Sequence, residues 1–401
     1  MSDILRSPFR LLLSLLLVLD ASAREPIAAP TKTARARDLG VPFDGNPGKF
    51  NAITDVPGVE VGYTTLISGE GKLEVGQGPV RTGVTAILPR GRDAMNDPVF
   101  AGYFSLNGNG EMTGTAWVEE SGFLEGPIVL TNTHSVGIAR DAVIAWRLAH
   151  GGPDAEGFAW SLPVVAETWD GWLNDVDGFH VKPEHVAHAI ESAHSGMIEE
   201  GSVGGGTGMI CYEFKGGTGT ASRMVPVVAV AGGGSSETKQ FAIGVLVQAN
   251  CGRRPQLTIR GLEVGKKIPG SVYKQETGSI IIVVATDAPL LPHQLKRLAR
   301  RASLGLARTG SVSGNGSGDL FIAFSTANPH AADAKPPIRT IETMPNDLMD
   351  PLFTATVEAT EEAIINALVD NHDMIGRDNH KVEALPRERL QQLLKENNRS
   401  R

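Results

Sequence analysis

The sequence predicts a layered α/β domain, in which strands covered on both faces lie between helices that each carry one apolar stripe. Two observations carry that reading. The run IIIVVA, Ile280 to Ala285, is the β-branched series of a strand that meets no water on either side. Strand-like runs ended by Gly, Pro or Asn alternate with helical patterns, and no Pro/Ser-rich linker or charge run divides them. Periodicity alone leaves open a Rossmann-like order or two sheets packed between helix layers.

Taken in order, the predicted strands are ITDVPGVEVGYTTLI, GVTAILPRG, GPIVLTNTHSVG, SLPVVAETWDG, GTGMICYEFKGG, VPVVAVAGGG, FAIGVLVQANCG and SIIIVVATDAPL. Two helices stand out. PHQLKRLARRASLGLAR places Leu295, Leu298, Ala302 and Leu306 on one face and arginines on the other, behind a first-turn proline. DPLFTATVEATEEAIINALV repeats the arrangement through Phe353, Val357, Ile364 and Leu368 after a standard Asp350-Pro351 start. Together these elements make one domain from about Ala34 to about Leu394, after a disordered leader to about Arg37 and before the polar tail KENNRSR.

The chain has 401 residues and is 41 % hydrophobic, which excludes general disorder. Its 47 glycines cluster between strand-like runs, as tight turns and close backbone approaches require. A net charge of −8 without a basic block argues against a nucleic-acid partner. Arg6 and Arg10 precede the apolar run Leu11 to Leu19, and Ala21-Ser22-Ala23 follows as a small-x-small cleavage site. That run is about half the roughly 20 residues a membrane span needs, so residues 1–23 read as a signal peptide. The expected destination is the periplasm or the outside, with no membrane attachment after signal removal. Cys211 and Cys251 are the only cysteines, so disulfides are not the framework, and whether the two pair stays open.

Several site readings fail on their own terms. Gly204 to Gly208 (GGGTG) lacks the Lys-Ser/Thr pair of a phosphate loop and runs into Met209-Ile210 of a strand. His185 and His188 stand three apart on a helix without HExxH or companion cysteines, and no zinc or other metal site is expected. No serine stands in G-x-S-x-G. What remains is small polar residues beside strong strands: Asn250 ending GVLVQAN, Ser279 beginning SIIIVVATDAPL, and Ser317 and Asp319 in SGNGSGDLFIAFSTAN. Each alone is an ordinary cap or turn residue.

Together these stretches, with ARDLGVPFDGNPGKFNAITDVPGVEVGYTTL, LPVVAETWDGWLND and EGSVGGGTGM, make the chain resemble the L-aminopeptidase/D-esterase family that includes the β-peptidyl aminopeptidases. The resemblance implies a four-layer αββα sandwich, like that of N-terminal-nucleophile hydrolases but with its own connectivity. It also implies a precursor that cuts itself before a serine, here between Gly278 and Ser279. The two chains would run from 24 to 278 and from 279 to 401 and stay together in one domain. A freed Ser279 supplies both hydroxyl nucleophile and α-amine base, whose ordinary pKa is roughly 7.7–8.

By the same residue-to-residue match, Asn250 takes the oxyanion role, and Ser317 with Asp319 forms the pair that orients or activates the nucleophile. Asp319 is one methylene shorter than the glutamate some members carry. Glu167 falls on the glutamate that binds the substrate's free amino terminus. Trp169 departs from relatives with tyrosine there; an indole N–H donates but does not exchange its proton as a phenol does, so Trp169 reads as a pocket wall or a partly buried aromatic. The resemblance further implies short peptides, amides or esters as substrates, no cofactor, and a tetramer of processed heterodimers. Two alternatives are an acyltransferase, whose related enzymes use threonine, and a periplasmic peptide-binding protein that would need Glu167 but not Ser279.

Overall fold

The computed structural model describes residues 34–151, 160–230, 236–273 and 278–399. The expected signal peptide, and the Ala231 to Gly234 end of one predicted strand, lie outside the described residues. In chain order the strands are β1 (Glu60–Ser68), β2 (Val80–Leu88), β3 (Val99–Gly108), β4 (Phe123–Leu124), β5 (Ile128–Asn132), β6 (Val164–Thr168), β7 (Ile210–Cys211), β8 (Phe214–Lys215), β9 (Gly217–Val230), β10 (Ser236–Asn250), β11 (Ser279–Thr286) and β12 (Gly318–Ser325). The helices are α1 (Thr115–Ser121), α2 (Val136–Gly151), α3 (Pro183–Glu191), α4 (Val264–Lys267), α5 (Pro292–Arg308), α6 (Asp350–Val369) and α7 (Arg387–Glu396).

Two sheets form. One has the order β1-β2-β5-β6 and the other β4-β3-β12-β11-β10-β9; β5 and β6, and β11 and β12, pair in parallel, and the other neighbours are antiparallel. Alternation along β11 shows why both sheets are interior layers. Ile281, Val283 and Ala285 pack with Ile87, Ile128, Leu130 and Val164 of the facing sheet. Ile280, Ile282 and Val284 point the other way, into a cluster with Leu295, Leu298 and Ala302 of α5 and Ile364 and Leu368 of α6. On the far side of the smaller sheet Val84, Ala86 and Val129 pack on Val143 of α2 and Ile190 of α3. The layers therefore run helix, sheet, sheet, helix, which decides between the two orders that periodicity left open. Each fully buried Ile or Val of β11 contributes roughly 1.5–3 kcal/mol.

Four expectations need correction. GTGMICYEFKGG is not one strand but two two-residue strands, β7 and β8, joined through Tyr212 and Glu213 at φ of 51° and 59°. Strand β3 is absent from the predicted set, because only its first half is buried and the apolar signal fades after Gly102. Helix α6 has the predicted apolar stripe, but it is buried nearly all round, including Thr356, Thr360, Glu361, Glu362 and Asn366. The leader does not extend to Arg37. Arg35 pairs with Glu200 at 2.5 Å and Arg37 with Glu362 at 2.7 Å, so residues from Ala34 on belong to the fold.

The buried carboxylate of Glu362 explains how a helix can carry charge inward. It takes Arg37 at 2.7 Å, Arg223 at 2.8 Å and the Asn51 amide at 2.6 Å. Burial alone would raise its pKa, but the bond from Arg37 and the charge of Arg223 outweigh it and hold the group below the ordinary glutamate range. Its contribution to stability is therefore present above the unfolded pKa and is lost as pH falls through the lower folded value. Glu362→Ala should leave Arg223, which is 1 % exposed, short of its counter-charge. The expected loss is about 3–5 kcal/mol, read as a lower denaturation midpoint in urea at neutral pH.

Candidate active site

Strand pairing brings three of the predicted residues to one end of the larger sheet. Asn250, the last residue of β10, lies directly opposite Ser279, the first of β11. On the other side of β11, Asp319 near the start of β12 pairs with Ile280. Ser317 sits one residue before β12 and its hydroxyl donates to Asp319 Oδ1 at 2.6 Å. The Gly318 N–H between them donates to Ser279 Oγ at 3.0 Å. All four side chains are buried, Ser279 being 5 % exposed. Burial raises the pKa of Asp319, against the bonds it accepts from Ser317, Ser313 and the Ile280 N–H.

Gly278 is fixed by its surroundings. A Cβ there would lie 1.9 Å from the Asn250 carbonyl oxygen and 3.0 Å from Cys251 Cα. The glycine is demanded by the neighbouring strand end.

Asn250 is held in one orientation. Its Oδ1 accepts from the Ile210 N–H at 2.7 Å, so its NH2 group faces the other way, with one hydrogen bonding the Trp169 carbonyl at 2.9 Å. The backbone of Trp169 is thus tied to Asn250, while its half-buried indole folds over Gly171, whose Cβ position would be 2.5 Å from Nε1. The next residue, Asp170, anchors this turn by accepting from Asn132 at 3.3 Å and Asn174 at 3.1 Å, and burial pushes its pKa up to about 6.

Glu167 reaches the site from the other sheet, at the end of β6. Its Oε2 accepts from Thr133 Oγ1 at 2.5 Å and its Oε1 from the Glu111 N–H at 3.1 Å. Gly110 lies between the halves: a Cβ on it would be 3.3 Å from Glu167 Oε1 and 3.2 Å from Gly318 Cα. The carboxylate therefore stands across one glycine from the peptide that holds Ser279. Burial raises its pKa; the Thr133 and Glu111 N–H bonds oppose that rise. Thr133, the Glu111 and Gly318 amides, and the Ile210 amide that turns Asn250 are missed by sequence reasoning, since each acts from a segment remote in sequence. Cys211 and Cys251 are not in a disulfide, and their sulfurs are 3.6 Å apart, against about 2.05 Å for a bond. A cavity of about 720 Å³ beside Arg90, Asp97, Asp287 and Thr326 opens at the far ends of β11 and β12. It lies about 25 Å of strand away from Ser279.

This fold and this end of the sheet define a peptidase of the N-terminal-nucleophile architectural type. The chain belongs to Peptidase family S58, whose sequence profile it matches over residues 51–382. It is 52 % identical over 385 residues to a β-peptidyl aminopeptidase, BapA, of Sphingosinicella microcystinivorans, covering 92 % of this chain and 93 % of the relative. A second BapA, of Sphingosinicella xenopeptidilytica, is 45 % identical over 394 residues, covering 94 % of each. The solved L-aminopeptidase D-Ala-esterase/amidase of Ochrobactrum anthropi, described as a prototype serine aminopeptidase and a variant of the Ntn hydrolase fold, superposes with a TM-score of 0.83 at 47 % identity. That match covers 92 % of this chain and 99 % of the other. The chain is accordingly a hydrolase of the aminopeptidase class, which sets aside the binding-only alternative.

The tight seat of Gly278 gives a direct check. Gly278→Ala must displace the end of β10 and with it Asn250. An unfolding free energy lower by about 1–3 kcal/mol is expected, together with at least a roughly tenfold loss in hydrolysis of an aminoacyl p-nitroanilide.

Proposed function

We propose that this chain is a self-processing serine aminopeptidase that cuts itself between Gly278 and Ser279 and then releases N-terminal residues through an acyl-enzyme on Ser279. In the first event Ser279 Oγ attacks the Gly278 carbonyl carbon, the Ser279 nitrogen leaves with a proton, and water resolves the ester to a Gly278 carboxylate and a free α-amine. In the second, that amine takes the Oγ proton, Oγ attacks the substrate carbonyl, and the proton passes to the departing amine. Water then hydrolyses the acyl-serine by the same route in reverse. Asn250 donates to the oxyanion, an interaction whose loss costs roughly 2.7–4 kcal/mol in comparable sites. Ser317 and Asp319 orient the hydroxyl, Glu167 receives the substrate ammonium, and Trp169 walls the pocket.

The observation that carries this reading is the convergence at one sheet end. Ser279, Asn250 and the Ser317–Asp319 pair come from three adjacent strands, and Glu167 faces them across Gly110. Short β-amino, L-α-amino or D-amino peptides, amides or esters are the substrate class, in line with the names of the relatives. We further propose export through residues 1–23 and assembly of the processed chains as a tetramer of heterodimers.

Intact-mass measurement with N-terminal sequencing tests the core of the proposal. Wild type should give a chain beginning Ser279-Ile280-Ile281, and Ser279→Ala a single uncut chain. An uncut wild type that still hydrolyses amino-terminal amides would remove the free-amine mechanism.

Glu167 supplies a second test. Thr133→Val removes a bond that lowers the Glu167 pKa, so the folded value climbs further and less carboxylate is ionised at a given pH. KM for an aminoacyl substrate should rise on the order of tenfold, the worth of one bond to a charged group. The rise should be larger at low pH and shrink as pH increases, because the variant's carboxyl, with the higher pKa, is the less ionised of the two until both are fully charged. A KM increase independent of pH would count against the ammonium-binding role.

A further inference from the structure

The most costly unexplained group near the site is a lysine. Lys215 of β8 is 0 % exposed, and its ammonium donates to the carbonyls of Gly216 at 2.7 Å and Met209 at 2.8 Å, with Gly206 O at 3.5 Å. Burying an ammonium costs several kcal/mol, and an apolar residue of similar volume is commonly neutral or stabilising at such a site. Packing therefore does not account for it. Burial lowers its pKa to about 7, against the opposing influence of the neighbouring Cys211 thiol.

What the ammonium touches is specific. Lys215 and Ile210 are register partners in the β7–β8 pair. The Met209 carbonyl that accepts from Lys215 and the Ile210 N–H that donates to Asn250 Oδ1 belong to one and the same peptide group. A continuous chain thus runs from Lys215 Nζ through the 209–210 peptide and the Asn250 amide to its NH2 hydrogens, one of which bonds Trp169 O. Hydrogen bonds in such a series polarise one another, so a positive charge at one end makes the donor at the other end stronger.

We propose that Lys215 is a positioning residue for the oxyanion donor: through the 209–210 peptide it orients the Asn250 amide and strengthens it as a donor to the negative oxygen of the tetrahedral intermediate. The inference rests on the oxyanion role of Asn250 proposed above. Lys215 touches no reacting atom, and its effect belongs to the transition state rather than to substrate binding, which Glu167 governs from the other sheet.

The test compares wild type, Lys215→Met, Asn250→Ala and the double variant on an aminoacyl p-nitroanilide, with rates normalised to the Ser279-starting chain counted by intact mass. Lys215→Met should lower kcat about tenfold, change KM by less than about twofold, and unfold at no lower a temperature than wild type. The double variant should be no slower than Asn250→Ala alone, because the lysine acts through that amide. Independent, multiplicative losses, or a raised KM at unchanged kcat, would overturn the proposal. A wild-type kcat in Asn250→Ala would instead sink the oxyanion reading beneath it. For a variant that stays uncut, the same comparison is made on the rate of self-cleavage. If Lys215→Met does not fold, Lys215→Gln retains a neutral donor, and an unchanged kcat in that variant overturns the role of the charge.

Discussion

Strand β11 has no face in water and no free edge. Its backbone groups are taken by β10 on one side and β12 on the other, while its alternate side chains fill two different hydrophobic clusters. A slip of one residue would turn Ile281, Val283 and Ala285 toward the helices and Ile280, Ile282 and Val284 toward the facing sheet, so the register is fixed by packing on both sides. Everything at the site inherits that register. Ser279 is opposite Asn250 because Ile280 is opposite Ala249, and the Gly318 N–H meets Ser279 Oγ because Asp319 is opposite Ile280. The nucleophile candidate thus stands at the head of a strand paired on both edges and packed on both faces, where a side chain can be held close to one geometry without a loop to order.

Two buried glutamates show how the same burial leads to opposite outcomes. Glu362 has two arginines and stays ionised with a lowered pKa. Glu167 accepts from a hydroxyl and a backbone amide, both neutral, and its pKa is raised. A carboxylate desolvated among neutral donors is an ion pair with one member missing. An ammonium arriving beside it completes the pair and holds it ionised, whereas a blocked amino terminus would leave the charge uncompensated. In the proposed role of Glu167, a preference for a free amine would thereby rest on the difference between Arg37 and Thr133 as partners.

The parts of this architecture legible in the sequence are those with strong local signals. β-Branched runs marked β10 and β11, and a 3.6-residue apolar stripe behind Pro292 marked α5. The β7–β8 turn was not legible, because Tyr212 and Glu213 adopt left-handed backbone conformations that sequence assigns to glycine or asparagine. Nor was the full burial of α6, since Glu361, Glu362 and Asn366 look like a solvated face until their partners from Arg260, Arg37 and the Thr220 carbonyl are in place. At the site, Ser279, Asn250, Ser317 and Asp319 could be singled out because each borders a strong strand or matches a family pattern. Thr133 and Lys215 could not, because what makes them matter is a contact between neighbouring strand ends or through a peptide group.

The position of Ser279 also bears on why the proposed cut need not loosen the enzyme. Gly278 is wedged against the end of β10, and Ser279 is held by pairing along the whole of β11, so neither new terminus depends on the bond between them to stay in place. The newly formed α-amine would emerge in a site where the serine is 5 % exposed. Desolvation disfavours the charged form of an amine and draws its pKa below the ordinary value of roughly 7.7–8. In the proposed mechanism, a group that water would leave largely protonated at neutral pH would then be more available as a base. The burial that fixes the register of β11 would in this way also tune the nitrogen at its head, linking the packing of the core to the chemistry at its edge.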